Sequence, residues 1–533
     1  MANILAKTVV SSWSPLGRET WKPAWVAEDR VPEFMGGGIG VQFGGKKYLW
    51  GNIPALDILR LESNEGKDYA ENLCLLFAAS GDLRNLIMTI NGLPDTYDHS
   101  IDITLNDMDF DIVARNIILL LIALTVEQVN EAADCILHLW YSAHIREAHI
   151  DILESRVRPL IEDVCNKIND KSSNGLFGKT WKFKQSSLRV VLEKPSWIRL
   201  ASFVNRLDRV SNEQAKKLRT DTTLAESRKD YRDRHMCFLP ISYRIPFVKF
   251  REDGILLPFG QPRHEFQFPN PTFFRDDGSW NMKDSADPLH GWSLEDVVNT
   301  SSGPAEADLY GKLFYYVREA LQTFLLQLSS MNASLNLFQM DASLLPEHLE
   351  KDSFSRIEVS NISDSGWLGI HGTLGLIMPL LQSPLKNPHA TLITLFMNAI
   401  EESMTDQDRL RKASWDSPAT KTLMKYLPPT RRLSSRYDPD IIKFNFCREL
   451  VTNYDDIFNQ YLRKLKVFEF ASLFNVEMKK KQTIMDKSPY RLKLRPGQPG
   501  AQDEFERQLA SGLTGKERYL EWRRISLTAK QPF

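Results

Sequence analysis

The hydrophobic pattern of this 533-residue chain changes period abruptly at one place. Residues 73–79 form an unbroken apolar run that stops at Ser80-Gly81-Asp82, and from Leu83 the apolar positions recur at helical spacing. A short buried strand that turns through glycine into a helix start is how doubly wound α/β proteins build a binding crevice. Glycine permits the tight turn and a close ligand, and the helix start presents free N–H groups. The pattern then repeats. Residues 101–105 alternate like a strand and end at Asn106-Asp107, and Asp109 opens a helix that runs to about Leu124. Strand, turn and helix, twice over, predict the first half of a nucleotide-binding-type sheet. An acid that ends the second strand of such a sheet commonly takes ribose hydroxyls. Asp107 holds that place, and capping the next helix is its equal alternative.

Residues 126–174 are helical in pattern and carry His138, His144 and His149. Residues 186–229 read as basic and helical, and the Pro, Asn and Gly density over 258–304 marks loops. Helical spacing returns from 305 to about 328, and the apolar run 335–340 closes on Asp341. Residues 354–360 read as a strand that ends in the polar turn Asn361-Ile362-Ser363-Asp364, and 387–398 starts as a turn and continues apolar. The sheet therefore resumes, again with polar residues at the strand ends where ligands bind. The predicted organisation is an irregular Trp/Pro/Gly-rich lead-in (1–45), the first half of a sheet domain (46–174), an insertion or second lobe (175–305), the second half (306–402) and a charged, mainly helical region (403–533). The expected fold class is α/β with a mostly parallel sheet.

Composition narrows this picture only slightly. At 42% hydrophobic and 25% charged the chain is ordinary globular protein. A net charge of -1 gives no bulk attraction for nucleic acid, so an anionic partner needs a local basic patch. The basic clusters Arg431-Arg432, Arg463-Lys464 and 479–481 are candidates, although interleaved acids make a solvated face the simpler reading. Five scattered cysteines without a Cys-x-x-Cys pair read as reduced thiols and give no metal site. The first thirteen residues, up to Trp13, lack a signal-peptide pattern, and the apolar run 117–124 is too short to span a bilayer, so a cytoplasmic protein with no membrane partner is expected. Gly36-Gly37-Gly38, Gly40 and Gly44-Gly45 lack phosphate-loop spacing, since Lys46-Lys47-Tyr48 follows, and read as a turn.

Several segments resemble a large fungal family of unknown-function domains usually found after MYND zinc fingers and related to the N-terminal part of dynein axonemal assembly factors. They are Ser14-Pro15-Leu16, Trp21-Lys22-Pro23-Ala24-Trp25, residues 49–55 and 72–85, Asn106-Asp107 with 109–116, residues 356–364 and 387–391. The resemblance implies a Rossmann-like, methyltransferase-like fold with a large insertion and a helical C-terminal region. It departs from active methyltransferases at the glycine loop, where Gly81 stands alone before Leu83 and Arg84. No zinc-ligand cysteines precede Trp13, as in the MYND-less arginine-containing cyclodipeptide synthases that this architecture also resembles.

That branch implies an enzyme that joins arginine from arginyl-tRNA to a second amino acid or aminoacyl-tRNA as a diketopiperazine, without a cofactor. Such chemistry needs an acid for the guanidinium, which a carboxylate holds in a bidentate fork, and a general base. Asp82, Asp107, Glu358 and Asp364 lie at or near predicted strand ends; Ser80, Ser360 and Ser363 are candidate acyl acceptors, and His371 and His389 candidate bases. The expected catalytic set is Asp82, Asp364, Ser80 and Glu358, with Gly81, Arg84, Asp107 and Asn361 binding substrate. Two alternatives stand beside it. One is a methyltransferase in which Asp107 holds the ribose of S-adenosylmethionine and Gly81 makes room for its methionine part. The other is a non-catalytic scaffold that keeps the sheet as a frame.

Overall fold

The computed structural model describes residues 14–37, 42–173, 175–207, 210–274, 279–431 and 435–525. Trp13, Gly38, Gly40 and Arg432 lie outside the described residues. The fold is mixed α/β, with many helices around one large, mostly parallel sheet of nine strands. In chain order these are β1 (Leu73–Phe77), β2 (Ile101–Asp107), β3 (Leu176–Phe183), β4 (Ser186–Glu193), β5 (Ala333–Gln339), β6 (Arg356–Glu358), β7 (Thr391–Phe396), β8 (Val476–Met478) and β9 (Arg518–Arg524). Across the sheet they lie β8-β9-β7-β6-β1-β2-β5-β4-β3. The six from β7 to β4 are mutually parallel, whereas β9 is antiparallel to both its neighbours and β3 forms a hairpin with β4.

The apolar runs form the central strands because both faces of a parallel sheet are covered. Alternate residues of β1 feed two different cores. Leu73, Leu75 and Phe77 join one with helices α1 (Arg84–Asn91), α2 (Phe110–Thr125), α3 (Val129–Tyr141) and α4 (Leu309–Ser330), while Leu76 joins the other with Ile357, Leu392 and the aromatic cluster Tyr454, Phe458 and Tyr461. Each such side chain contributes about 1.5–3 kcal/mol on burial. Asp109 caps α2 by accepting from the Asp111 N–H at 2.9 Å, and the run from Ile117 to Ile122 is wholly buried, so α2 forms a central support of the sheet.

One segment differs from the sequence reading. Residues 186–193 form strand β4 rather than helix, with Leu188 and Val190 buried and Arg189 exposed, the period-two signature of a sheet near its edge. The region 403–533, read as mainly helical, also supplies β8 and β9, which complete the sheet beside β7. Within 175–305, Leu188, Trp197, Phe250 and Trp292 belong to the same core as β1 and α2. Among the described residues no helix is long and apolar enough to cross a membrane.

The amino end of the sheet is held by charge. Arg356 opens β6 fully buried, and its Nη2 donates to Glu65 Oε2 at 2.6 Å. Removing one partner of a buried pair strands the other charge in low dielectric. Glu65→Ala is therefore expected to lower unfolding free energy by about 3–5 kcal/mol, measured by urea denaturation.

Candidate functional site at the carboxyl ends of the strands

The chain leaves β1 for β2 and β5 on one side, then returns across β1 to β6 and β7 on the other. The order reverses between β1 and β6, and beyond the carboxyl ends of the strands at such a reversal is the place where open α/β sheets form a ligand crevice. The sequence-predicted residues Ser80, Gly81, Asp107, Glu358 and Asn361 lie in or just after the carboxyl ends of β1, β2 and β6. Gly81 adopts φ +56°, and a side chain there would meet nothing within 4 Å, so its backbone faces open space. Its N–H donates to Asp107 Oδ2 at 3.0 Å and its carbonyl accepts from Asn116 Nδ2 at 2.7 Å. Ser80 is buried beside it, and its Oγ donates to the Gly81 carbonyl at 3.2 Å.

Asp107 does not cap α2, whose cap is Asp109; besides Gly81, it accepts from the Asp109 N–H at 2.9 Å, in the turn before the helix. Each carboxylate oxygen keeps a second lone pair for a ligand. Burial pushes its carboxyl up to about 6 against the pull of those two N–H groups. At the end of β6, Glu358 is buried; Oε1 accepts from the Ser360 N–H at 2.6 Å and Oε2 has no hydrogen bond. Burial raises it to about 7, with Ser360, Arg84 and Asn85 opposing. Ser360 itself holds φ +50°, a left-handed conformation unusual for a residue other than glycine, and Asn361 follows in the turn. Asp364, fully buried, accepts at Oδ2 from Met397 N, Asn398 N and Asn398 Nδ2, each at 3.1 Å, and so ties the β6 turn to the end of β7. Its Oδ1 has no partner, and burial lifts it to about 6, with Asn361 among the groups that oppose the rise.

Asp82 and Arg84 are spent on the frame. Asp82 Oδ2 accepts from the Gly51 N–H at 2.8 Å and Oδ1 binds Arg84 Nε at 2.5 Å. Arg84 Nη1 donates to the carbonyls of Ile53 and Gly291, the latter at 3.0 Å. The pair pins two loops beneath the turn. His371 faces away, bonded at Nε2 to the Leu465 carbonyl at 2.8 Å, and His389 precedes β7, at the opposite end of the sheet. Ser363 is buried against Thr373, at 3.3 Å.

Sequence reading passed over Asn106, Asn116 and Lys47. Asn106 Nδ2 donates to the carbonyls of Ala78 (2.9 Å) and Met340 (3.1 Å), which fastens three strand ends together. Its signal was its place beside Asp107 at a strand end. Lys47 bridges Asp109 at 2.5 Å and Asp111 at 3.2 Å, so the residue taken for part of a turn reaches the rim of the crevice. The neighbouring Gly45 is needed for close approach, since a Cβ would lie 2.0 Å from the Asn281 carbonyl oxygen. Much of the basic C-terminal region is engaged in ion pairs, with Arg411 on Asp408, Lys412 on Glu449, Arg431 on Asp438 and Arg491 on Asp455.

Lys47, Arg84 and Arg199 neutralise Asp109, Asp82 and Asp111. Asp107, Glu358 and Asp364 have no ion-pair partner among the described residues. The strand ends thus carry three carboxyls without cationic partners, each raised by burial, a kind of group that clusters at functional sites.

Residues 49–145 match a family model described as Domain of unknown function (DUF4470). That span contains β1, the glycine turn, β2, α2 and α3, and hence Ser80, Gly81, Asp82, Arg84 and Asp107. No curated protein and no solved structure matches the chain.

Two outcomes follow from the burial of these carboxyls. A carboxyl whose folded pKa is raised contributes stability below its unfolded pKa and loses it as pH rises through the folded value. Glu358→Gln should therefore become increasingly stable relative to wild type between about pH 4.5 and 7 and level off above, read from urea midpoints; a pH-independent difference would contradict the assignment. Asp82→Ala should cost about 3–5 kcal/mol through loss of the Arg84 partner, visible in the same measurement.

Proposed function

We propose that the crevice is the active site of a group-transfer enzyme that binds a cationic, amino-acid-bearing substrate or cofactor, and that S-adenosylmethionine is the ligand it suits best. The carrying observation is the strand order. With the β3–β4 hairpin set aside, the sheet reads third, second, first, fourth, fifth, with the antiparallel last strand, β9, inserted before β8. This doubly wound order, with an antiparallel strand in that place, supports a Rossmann-like sheet of methyltransferase type.

The residues present fit the cofactor. Gly81 exposes open backbone at the turn, Asp107 ends the second strand with lone pairs available for ribose hydroxyls, and the unpaired carboxyls favour a ligand that carries sulfonium and ammonium charges. When bound, S-adenosylmethionine supplies a transferable methyl group. Glu358, poised near neutrality with a free Oε2, serves as the base that takes a proton from the acceptor.

A second reading is supported by Ser360. A serine held left-handed two residues past the end of a parallel strand resembles a strained nucleophile turn, and the same carboxyls suit the guanidinium of an arginyl group. This supports the cyclodipeptide synthase reading, with arginyl-tRNA as donor.

Equilibrium dialysis with labelled S-adenosylmethionine separates the two. The methyltransferase reading predicts binding that tightens as pH rises through about 6–7, as the carboxyls ionise, and that weakens at least about tenfold in Asp107→Asn. Absence of binding, together with arginine-containing diketopiperazines formed on incubation with arginyl-tRNA, would transfer the assignment to the synthase.

A further inference from the structure

A cavity of about 260 Å³ lies apart from the crevice, where α3, α4 and the loop 257–266 meet. That is below the roughly 300–1,000 Å³ of sites for drug-sized ligands, a size for a small metabolite. Its walls divide by chemistry. Phe266, Phe314 and Leu257 form an apolar side, and Asp134, Glu265, Arg146 and Arg318 form a charged side.

The charges balance, two acids against two cations, but they are unequally satisfied. Arg318 Nε is closely paired with Asp134 at 2.6 Å. Arg146 lies 4.0 Å from Asp134 and 3.8 Å from Glu265, donates from Nη2 to His149 Nε2 at 3.1 Å, and leaves a buried Nε without a hydrogen bond. Glu265 is nearly half exposed and meets Arg146 only at that distance. A loosely held cation therefore faces a loosely held carboxylate across a small cavity with an aromatic wall.

His138 adds a neutral imidazole to the lining. Ser142 Oγ accepts from the Leu256 N–H at 3.1 Å and is hydrogen-bonded to His138 Nδ1 at 3.0 Å, which fixes the orientation of the ring. Burial keeps this imidazole neutral, its pKa well below the ordinary value. His138 packs edge-on against Phe266 with centroids 4.7 Å apart and stacks on His149. The π-helical turn Leu153–Val157 that follows the His149 helix is a feature concentrated at functional sites.

We propose that this cavity binds a free α-amino acid with an apolar or aromatic side chain. Its carboxylate pairs with Arg146, its ammonium with Glu265, and its side chain lies against Phe266 and Phe314. A zwitterion matches a neutral pair of separated opposite charges, whereas a simple anion or cation would leave one of them opposed by like charge. The site is independent of the reading given to the crevice.

The test is calorimetric titration of the full chain with each of the twenty amino acids, with phenethylamine and 3-phenylpropionate as single-charge controls. L-Phenylalanine or L-leucine is expected to bind, and the two controls at least about tenfold more weakly. Arg146→Gln should remove binding. Glu265→Gln, at the exposed rim and so compatible with folding, should weaken the amino acid about tenfold or more while leaving 3-phenylpropionate unchanged or improved. No binding by any amino acid at about 10 mM, or amino-acid binding unaltered in folded Glu265→Gln, would overturn the proposal.

Discussion

The buried pair of Asp82 and Arg84 is the constraint on which the rest of the site depends. It fixes the turn after β1 by reaching outward rather than inward: the carboxylate holds Gly51 and the guanidinium holds the Ile53 and Gly291 carbonyls. The geometry leaves no slack. A Cβ at Gly51 would fall 1.6 Å from the Arg84 guanidinium, and one at Gly291 would fall 2.9 Å from Arg84 Cδ. Both loops carry glycine because a buried cation fills the space that a side chain would need. With the turn pinned from below, Gly81 keeps its left-handed backbone and its upper side stays open.

The consequence is a division of labour among carboxylates that look alike in the sequence. Asp82, Asp109 and Asp111 have cationic partners and act as structure. Asp107, Glu358 and Asp364 are held mainly by N–H donors, and desolvation raises each of them towards neutrality. Coulombic pairing favours the charged form and burial disfavours it. Which of the two acts on a given acid separates frame from candidate chemistry, and here the boundary runs between residues two positions apart, Asp107 and Asp109.

This explains what was legible beforehand. The strands β1 and β2, the glycine turn, α2 with its Asp109 cap, and the polar ends of β2 and β6 all follow from local pattern and turn chemistry. Arg84 read as a ligand contact because nothing near it in sequence reveals that Ile53 and Gly291 will surround it. His389 read as a candidate base because it sits in the turn before an apolar run, yet the direction of β7 places it at the far end of the sheet. Strand β4 was obscured by the basic residues around it, although Leu188 and Val190 already alternate with Arg189. The cavity beside Arg146 was invisible because it gathers α3, α4 and a distant loop, and its loose ion pairs exist only once the chain has folded.

The central claim is that the unpaired carboxyls at the strand ends form a site for a cationic ligand. Calorimetry of S-adenosylmethionine binding at about pH 6.5, in buffers of different ionisation enthalpy, counts the protons that move. A cation that stabilises the charged carboxyls must drive protons off them. The account predicts release of roughly half a proton or more per ligand, reduced in Glu358→Gln. Binding that moves no proton, or the absence of binding, would contradict it.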